Sequence, residues 1–457
     1  MGETNRRGFL ASAAASQLAA TAMGTVAAPG ESRGAESLKQ GEPLKKAGEP
    51  LKGAEPLPVA LIGCGGMGRS HLETLVRRDD VQLRWVCDVD RDRVNAAKKL
   101  ITDAGKPEPQ ATADLREVLA DPSLRAVWIA TPDHWHGPAA ILAAHAGKHV
   151  YVEKPCAHNV REGRWMLEAA RRNGIVMQVG TQSRSTAHVR QAIALLAEGA
   201  IGEVLVAKAW NSQRRGSLGH QQPSEPPEVL DYDAWVGPAA WQPYQSNLLH
   251  GVWRFWHNFG CGDIGNDGVH EIDIARWGLG VDRHPDRIAG LGGKYGFDDD
   301  QQFPDTQYCV YEWSTPEVLG TKQLVFEQRD WSPYVQEGHE NGNAFYGTKG
   351  MLVLGKKSGW QLFGERNKLV EQAEGSFSLP PHYDNFLACI HDGGRPHADI
   401  EEGHRSATLV HLGNIACRLG RTLQFDPEAE QVLEDREAAA ILRRTYRDGH
   451  WAVPKDV

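Results

Sequence analysis

Pro58-Val59-Ala60-Leu61-Ile62-Gly63-Cys64-Gly65-Gly66-Met67-Gly68 is the stretch that decides the fold. Val59 to Ile62 form a short apolar strand, the glycines turn the chain at once, and a helical pattern follows at His71, Leu72, Leu75 and Val76. A strand feeding a helix through G-x-G-x-x-G is a phosphate-binding turn. Gly63 permits the tight turn, Gly65 lets the backbone approach a pyrophosphate, and Gly68 lets the helix pack closely on the strand. The free N–H groups of the helix start, at Gly66 and Met67, receive the anion. A second apolar strand, Leu83 to Cys87, ends in Asp88, twenty residues past Gly68, where an acid binds ribose hydroxyls and repels a 2′-phosphate. The cofactor expected is therefore NAD, with Arg91 and Arg93 keeping NADP open. A glycine-rich turn followed by a surface Asp is the alternative, and strand, spacing and acid together speak against it.

The alternation continues outward. Helices are expected from about Arg91 to Ala104 and Asp114 to Ala120, then a strand at Ala126–Ala130 and the turn Thr131-Pro132-Asp133-His134-Trp135-His136. A further helix runs to about Ala146, and the strand His149–Val152 ends in Glu153-Lys154-Pro155. Strand, helix and strand in succession imply a doubly wound parallel sheet of the Rossmann kind, over about residues 57–180. Ligands in such sheets sit beyond the carboxyl ends of the strands. Thr131, Pro132, His134, His136, Glu153 and Lys154 are thereby placed beside the cofactor. A lysine is ordinarily a surface residue, but Lys154 directly follows a buried-type strand at that edge.

The first sixty residues differ in character. Arg6-Arg7-Gly8-Phe9-Leu10, then a weakly apolar Ala-rich run to Ala28, are laid out like an export signal over residues 1–30, similar to that of the twin-arginine (Tat) route. A chance arginine pair on an amphipathic helix is the competing explanation. A Glu-Pro-Leu near-repeat at residues 42–44, 49–51 and 55–57 makes residues 31–56 a Pro-rich tether. The protein is thus expected in the periplasm or otherwise exported. Elsewhere, 41% hydrophobic and 24% charged residues over 457 positions suffice for sizeable cores. A net charge of -9 without a basic stripe argues against nucleic acid, and no apolar run is long enough to leave a membrane span once the signal is removed. Seven scattered cysteines lack metal or redox spacing, so no metal is expected and the thiols read as reduced and mostly buried.

In the C-terminal part, 181–457, the runs Val204–Trp210, Thr306–Trp313, Lys322–Gln328 and Met351–Gly355 read as strands of an antiparallel sheet. Helical stretches are expected at His270–Leu279, His382–Ile390 and Glu401–Arg418, with residues 382–420 placed so as to pack back on the first domain. Taken together, the glycine loop, Ala130-Thr131-Pro132-Asp133-His134, Glu153-Lys154-Pro155 and Gly265-Asn266-Asp267-Gly268-Val269-His270-Glu271-Ile272-Asp273 resemble the Gfo/Idh/MocA family over roughly residues 57–450. The tail Glu401-Glu402-Gly403-His404-Arg405-Ser406-Ala407, with His411-Leu412-Gly413-Asn414, looks like an exported subgroup. That resemblance implies an N-terminal Rossmann domain and a C-terminal α/β domain with an open, mainly antiparallel sheet, whose outer face forms a subunit contact in a homo-oligomer.

It also implies an NAD-dependent oxidoreductase in which Lys154 touches nicotinamide and substrate hydroxyl, and His270 serves as acid or base. Either can move the proton. Many relatives carry Asp four residues before that His; here it is Asn266, which cannot hold a proton, with Asp267 beside it as a substitute or as a helix N-cap. His270 as a satisfied interior histidine is the plainer alternative, and Asp273 is expected to support structure. The substrate expected is a small carbohydrate, a sugar, polyol or glycoside. Its contacts are expected from Gln182, Arg184, Trp256, Asn266 and His270, with Trp135, Trp210, Trp253 and His257 as further candidates among mostly core tryptophans. An exported enzyme is cut off from the cellular dinucleotide pool, so the cofactor is expected to travel bound to the folded protein. Two alternatives stand beside net oxidoreduction: glycoside cleavage by transient C3 oxidation and elimination, and non-catalytic carbohydrate binding by an NAD-bound protein.

Overall fold

The computed structural model describes residues 55–314 and 321–455. The expected signal and nearly all of the tether lie outside the described residues. Alternating strands and helices occupy the first part: β1 (Leu57–Ile62), α1 (Gly66–Leu75), β2 (Val81–Cys87), α2 (Arg91–Asp103), β3 (Gln110–Thr112), α3 (Leu115–Ala120), β4 (Ala126–Ile129), α4 (Asp133–His145), β5 (His149–Val152), α5 (Val160–Arg172) and β6 (Met177–Val179). All pairings are parallel, in the order β3-β2-β1-β4-β5-β6. This is the doubly wound Rossmann order. β4 is buried at every residue, as a strand covered by helices on both faces must be. Short polar side chains start the helices: Asp90, Asp114 and Asn159 accept N–H bonds at the N-termini of α2, α3 and α5.

The second part adds α6 (Ala187–Ala197), β7 (Val204–Asn211), α7 (Tyr232–Val236), α8 (Val269–Leu279), β8 (Arg287–Gly293), β9 (Thr306–Trp313), β10 (Lys322–Arg329), β11 (Asn341–Gly347), β12 (Met351–Gly355), β13 (Gly359–Phe363) and β14 (Leu369–Glu374). It closes with α9 (Pro380–Asp392), α10 (Ile400–Leu419), β15 (Leu423–Asp426), β16 (Gln431–Leu433) and α11 (Arg436–Ile441). Ten strands form one open sheet, β14-β13-β12-β11-β7-β10-β9-β8-β15-β16, antiparallel except for the β7–β10 pair. Helices α8 and α10 cover one face. Their approach is close because glycines stand at the crossing: a Cβ on Gly290 would lie 2.7 Å from Cys417 Sγ, and one on Gly413 2.4 Å from the Tyr311 hydroxyl.

Helices α9 and α10 return to the Rossmann sheet. Tyr383, Phe386 and Leu387 of α9 share a core with Leu61, Trp128 and Tyr151, and Arg78 pairs with Asp384 at 2.7 Å. Ile400 and Ala407 of α10 enter the core on the other face of that sheet. The parts are further tied by a buried charge cluster. Asp273 on α8 accepts from Arg184 Nε at 2.8 Å and from the Ser406 hydroxyl at 2.6 Å. Glu402 on α10 binds both Arg184, at 3.1 Å, and Arg276. Asp273 thus supports structure, as expected. Arg184 is committed to this cluster and is no substrate ligand, a correction to the expectation above. All seven cysteines are buried and unpaired.

Removing one member of a buried charge cluster strands the others without compensation. Asp273→Ala is expected to lower unfolding stability by about 3–5 kcal/mol, measured by urea denaturation of the purified protein. A loss below about 1 kcal/mol, the level of an exposed pair, would mean that the cluster does not hold the two parts together.

Candidate functional site

A cavity of about 890 Å³ opens beyond the carboxyl ends of the Rossmann strands. Gly63 turns the chain at φ +93°, where any Cβ would lie 2.6 Å from the backbone of Ala130. Gly65, Gly66 and Met67 line the cavity beside it, and the Gly65 N-cap makes no side-chain bond, so the first N–H groups of α1 are left for an anion. Gly68 lies behind this loop. A Cβ there would come within 1.9 Å of the Gly63 carbonyl, so its role is helix-on-strand packing. Asp88 lines the cavity at the end of β2, accepting N–H bonds from Cys64 at 2.6 Å and Asp90 at 3.0 Å, and burial holds its carboxyl above the usual range. These residues fit a dinucleotide: free amide donors for a pyrophosphate and a carboxylate for a ribose.

Thr131, Pro132, His136, Glu153 and Lys154 line the same space. The His136 ring sits between the carbonyls of Pro155, at 2.7 Å, and Thr131, at 2.9 Å, bracing the two turns against each other. His134 is a correction: its Nε2 faces the Trp235 carbonyl at 2.8 Å and its ring packs on Trp235 and Phe259, outside the cavity. Sequence spacing on the α4 turn did not reveal which of the two histidines faces inward. Glu153 is buried against His71 at 3.2 Å and accepts the Lys154 N–H at 3.1 Å. Burial would raise its carboxyl, but the His71 bond and the Lys154 charge bring it down to about 2. The turn carrying Lys154 is therefore anchored from behind.

Across the cavity, Ile264–Gly268 forms one wide turn with π-helical bonding before α8. Such turns free carbonyls from the helical ladder, and the Asn266 carbonyl accepts from Lys154 Nζ at 2.8 Å. The Asn266 amide donates to Asp263 at 2.9 Å. Asp267 is no helix cap: the N-cap of α8 is Gly268, and Asp267 instead pairs with Arg215, which also holds Asp263 at 3.0 Å. Burial opposes the Asp267 charge, yet Lys356, Arg215 and Lys154 bring its carboxyl down to about 2. His270 lines the cavity beside it. Burial, then the Lys356 and Lys154 charges, hold its imidazole well below the usual range, so it stands neutral. Gln182 lines the cavity, but Trp256 does not, its indole N–H going to the Asn247 carbonyl at 3.3 Å within a local aromatic core. Trp210 is likewise fully buried.

Several lining or supporting residues carry no local sequence signal. Lys356, just after β12, pairs with Glu271 at 2.8 Å and acts on both Asp267 and His270; burial raises Glu271 to about 7 despite that partner. Trp235, Trp253, Arg254, His250 and Trp451 roof the cavity from segments far apart in the chain. The roof is held on the β2–α2 turn by backbone bonds, Asp231 N–H to Val89 at 2.9 Å and Arg91 N–H to Val229 at 3.0 Å.

Comparison with known proteins agrees with this geometry. A levoglucosan dehydrogenase of Pseudarthrobacter phenanthrenivorans is 31% identical over 49% of this chain and 51% of its own length. A glycosyl hydrolase family 109 protein of Saccharopolyspora erythraea is 34% identical over 40% and 43%. The chain spans about half the length of these curated relatives or less. Among solved structures, the WlbA dehydrogenase from Bordetella pertussis, in complex with NADH and UDP-GlcNAcA, superposes with a TM-score of 0.61 at 21% identity, over 81% of this chain and 99% of that one. Aldose-aldose oxidoreductase from Caulobacter crescentus gives 0.62 at 19%, over 81% and 100%. Residues 57–181 match the oxidoreductase family's NAD-binding Rossmann fold and residues 204–453 its C-terminal alpha/beta domain, so the chain belongs to the Gfo/Idh/MocA oxidoreductase family.

Proposed function

We propose that the chain is an NAD-dependent oxidoreductase that exchanges hydride with a carbinol of a sugar, polyol or glycoside. The observation that carries this is the convergence of Lys154 and His270, from separate parts of the chain, in the cavity that the glycine loop opens. Bound nicotinamide supplies the hydride acceptor or donor. The chain's own residues manage the proton. Lys154, held by the Asn266 carbonyl, has N–H groups left to donate to the substrate oxygen. His270, neutral beside an ionised Asp267, takes the hydroxyl proton as the carbinol is oxidised and returns it on reduction. Asp267 stabilises the imidazolium so formed, the part that Asn266 cannot play.

A base held below the usual imidazole range stays competent as pH falls through that range. The kcat/KM profile is expected to keep its acid side flat through pH ~6.5, the ordinary histidine value. Lys356→Met removes a cation that disfavours the imidazolium, so the acid limb should move up in pH. A limb already near 6.5 in the parent protein, or one unmoved in the variant, would remove His270 as the base.

The twin arginine at Arg6-Arg7, with the glycine loop, supports export of a folded protein that carries its cofactor along. Purified mature protein is then expected to release stoichiometric NAD(H) on denaturation. Lys154→Ala should keep that load, since Lys154 lies outside the phosphate loop, while turnover falls at least roughly 100-fold. Protein that is empty and works only with added cofactor counts against retention, and unchanged turnover removes Lys154 from the mechanism. Replacing Arg6 and Arg7 by Lys should hold the protein in the cytoplasm.

A second reading, redox-assisted glycoside cleavage, is favoured by the relatives named glycosyl hydrolase family 109 and alpha-N-acetylgalactosaminidase. Free aglycone without net redox would identify it. Leu291, Tyr308 and Tyr346, exposed on the outer face of the large sheet, support a subunit contact there; a monomer by light scattering would exclude it.

A further inference from the structure

Three arginines line the cavity, and their surroundings differ. Arg93 lies 3.7 Å from Asp90, and Arg116 is paired with Asp114 at 2.6 Å. Arg254 has no carboxylate within ion-pairing distance among the described residues. Its Nε is buried without a hydrogen-bond partner, and its one close neighbour of note is the face of Trp253, 5.4 Å from the ring centroid. Its base is fixed, because the chain crosses itself there: a Cβ on Gly260 would lie 2.3 Å from Arg254 Cα.

Arg254 belongs to the reacting end of the cavity. The acids that act on it are Asp263, Asp133 and Asp267, none in contact, and Asp133 feels Lys154 and Arg254 together. Asp263 and Asp267 make their ion-pair contacts with Arg215, not with Arg254. Asp133 is buried, and burial holds its carboxyl above the usual range, which weakens it as a counter-ion. Arg254 is half-buried, its Nε shut away from water without a partner while the rest of the guanidinium faces the cavity, and an anion there would complete it. Arginine's planar N–H pair matches an oxyanion with two acceptor oxygens.

We infer that Arg254 reads a carboxylate on the substrate, so that the sugar acted on is a sugar acid, a uronate or its glycoside, held by Arg254 while Lys154 and His270 address a ring hydroxyl. This rests on the oxidoreductase reading above and narrows it. Phosphate offers the same oxyanion chemistry, and the test separates the two.

The holoprotein is given matched pairs, glucose with glucuronate and galactose with galacturonate, and a hexose phosphate. Turnover is followed by the absorbance of bound reduced nicotinamide, and binding by calorimetry. The acids should be preferred over their neutral parents, and in Arg254→Met that preference ratio should fall roughly 10- to 100-fold, the worth of a hydrogen bond to a charged group, mainly through KM. Arg254→Lys keeps the charge, guards against a folding defect, and should restore part of the ratio. Equal use of acid and neutral sugar by the parent protein, or a ratio unchanged in both variants, overturns the inference, and a preference for the phosphate overturns the carboxylate assignment. Arg254-dependent binding of uronates without any redox change would sink the oxidoreductase reading and leave the site standing. Turnover of neutral sugars without acid preference would do the reverse.

Discussion

The buried cluster of Arg184, Asp273, Arg276 and Glu402 is the constraint on which the site depends. Arg184 follows directly on the last Rossmann strand, Asp273 and Arg276 lie on α8, and Glu402 starts α10. These charges are satisfied by one another and by the Ser406 hydroxyl, with Glu402 also reaching Arg405, so the segments that bear them are held together. That arrangement fixes α8, and His270 on its first turn, relative to β5 and Lys154. The spacing of Lys154 and His270, more than a hundred residues apart in the chain, is thereby set by a charge cluster that never touches the cavity.

Around this anchor the site is built from paired opposites. The cavity keeps an ionised Asp267 and a neutral His270 side by side, and the same ammonium groups, Lys154 and Lys356, favour both states. Cations stabilise a carboxylate and discourage protonation of an imidazole, so one electrostatic environment keeps Asp267 ionised and His270 neutral together. Glu271 tempers Lys356 from the other side. The wide turn uses the backbone carbonyl of Asn266, not its side chain, to hold Lys154, and the side-chain amide goes to Asp263.

The Rossmann part was legible because its signals are local: apolar strands, a glycine turn and an acid at fixed spacing, all within thirty residues. The large sheet was legible in runs rich in β-branched and aromatic residues, as in Thr306–Trp313, and in the short apolar run Met351–Gly355. β8 and β11 were missed since each carries two or three glycines, which weaken any strand pattern, and some of these glycines exist to let a neighbour in: Gly290 admits α10, and Gly342 the ring of Trp210. His134, Arg184 and Trp256 were misplaced for a related reason. Polarity and proximity to a motif do not reveal which way a side chain turns: His134 and Arg184 turn into partners supplied by distant segments, and Trp256 into its own local aromatic core. Lys356, Arg215 and Arg254 were invisible because only the tertiary fold brings Arg254 to the cavity and the other two behind it, beside Asp267 and Glu271.

The C-terminal segment is clamped by Arg444 and Tyr446 onto the buried Glu162, at 2.7 and 2.6 Å, and then lays Trp451 against Trp135 at the cavity wall. One wall of the cavity is therefore built by α4 and by the C-terminal segment together. The shape of the cavity thus answers to the docking of a segment remote in sequence from the glycine loop, through one tryptophan laid on another.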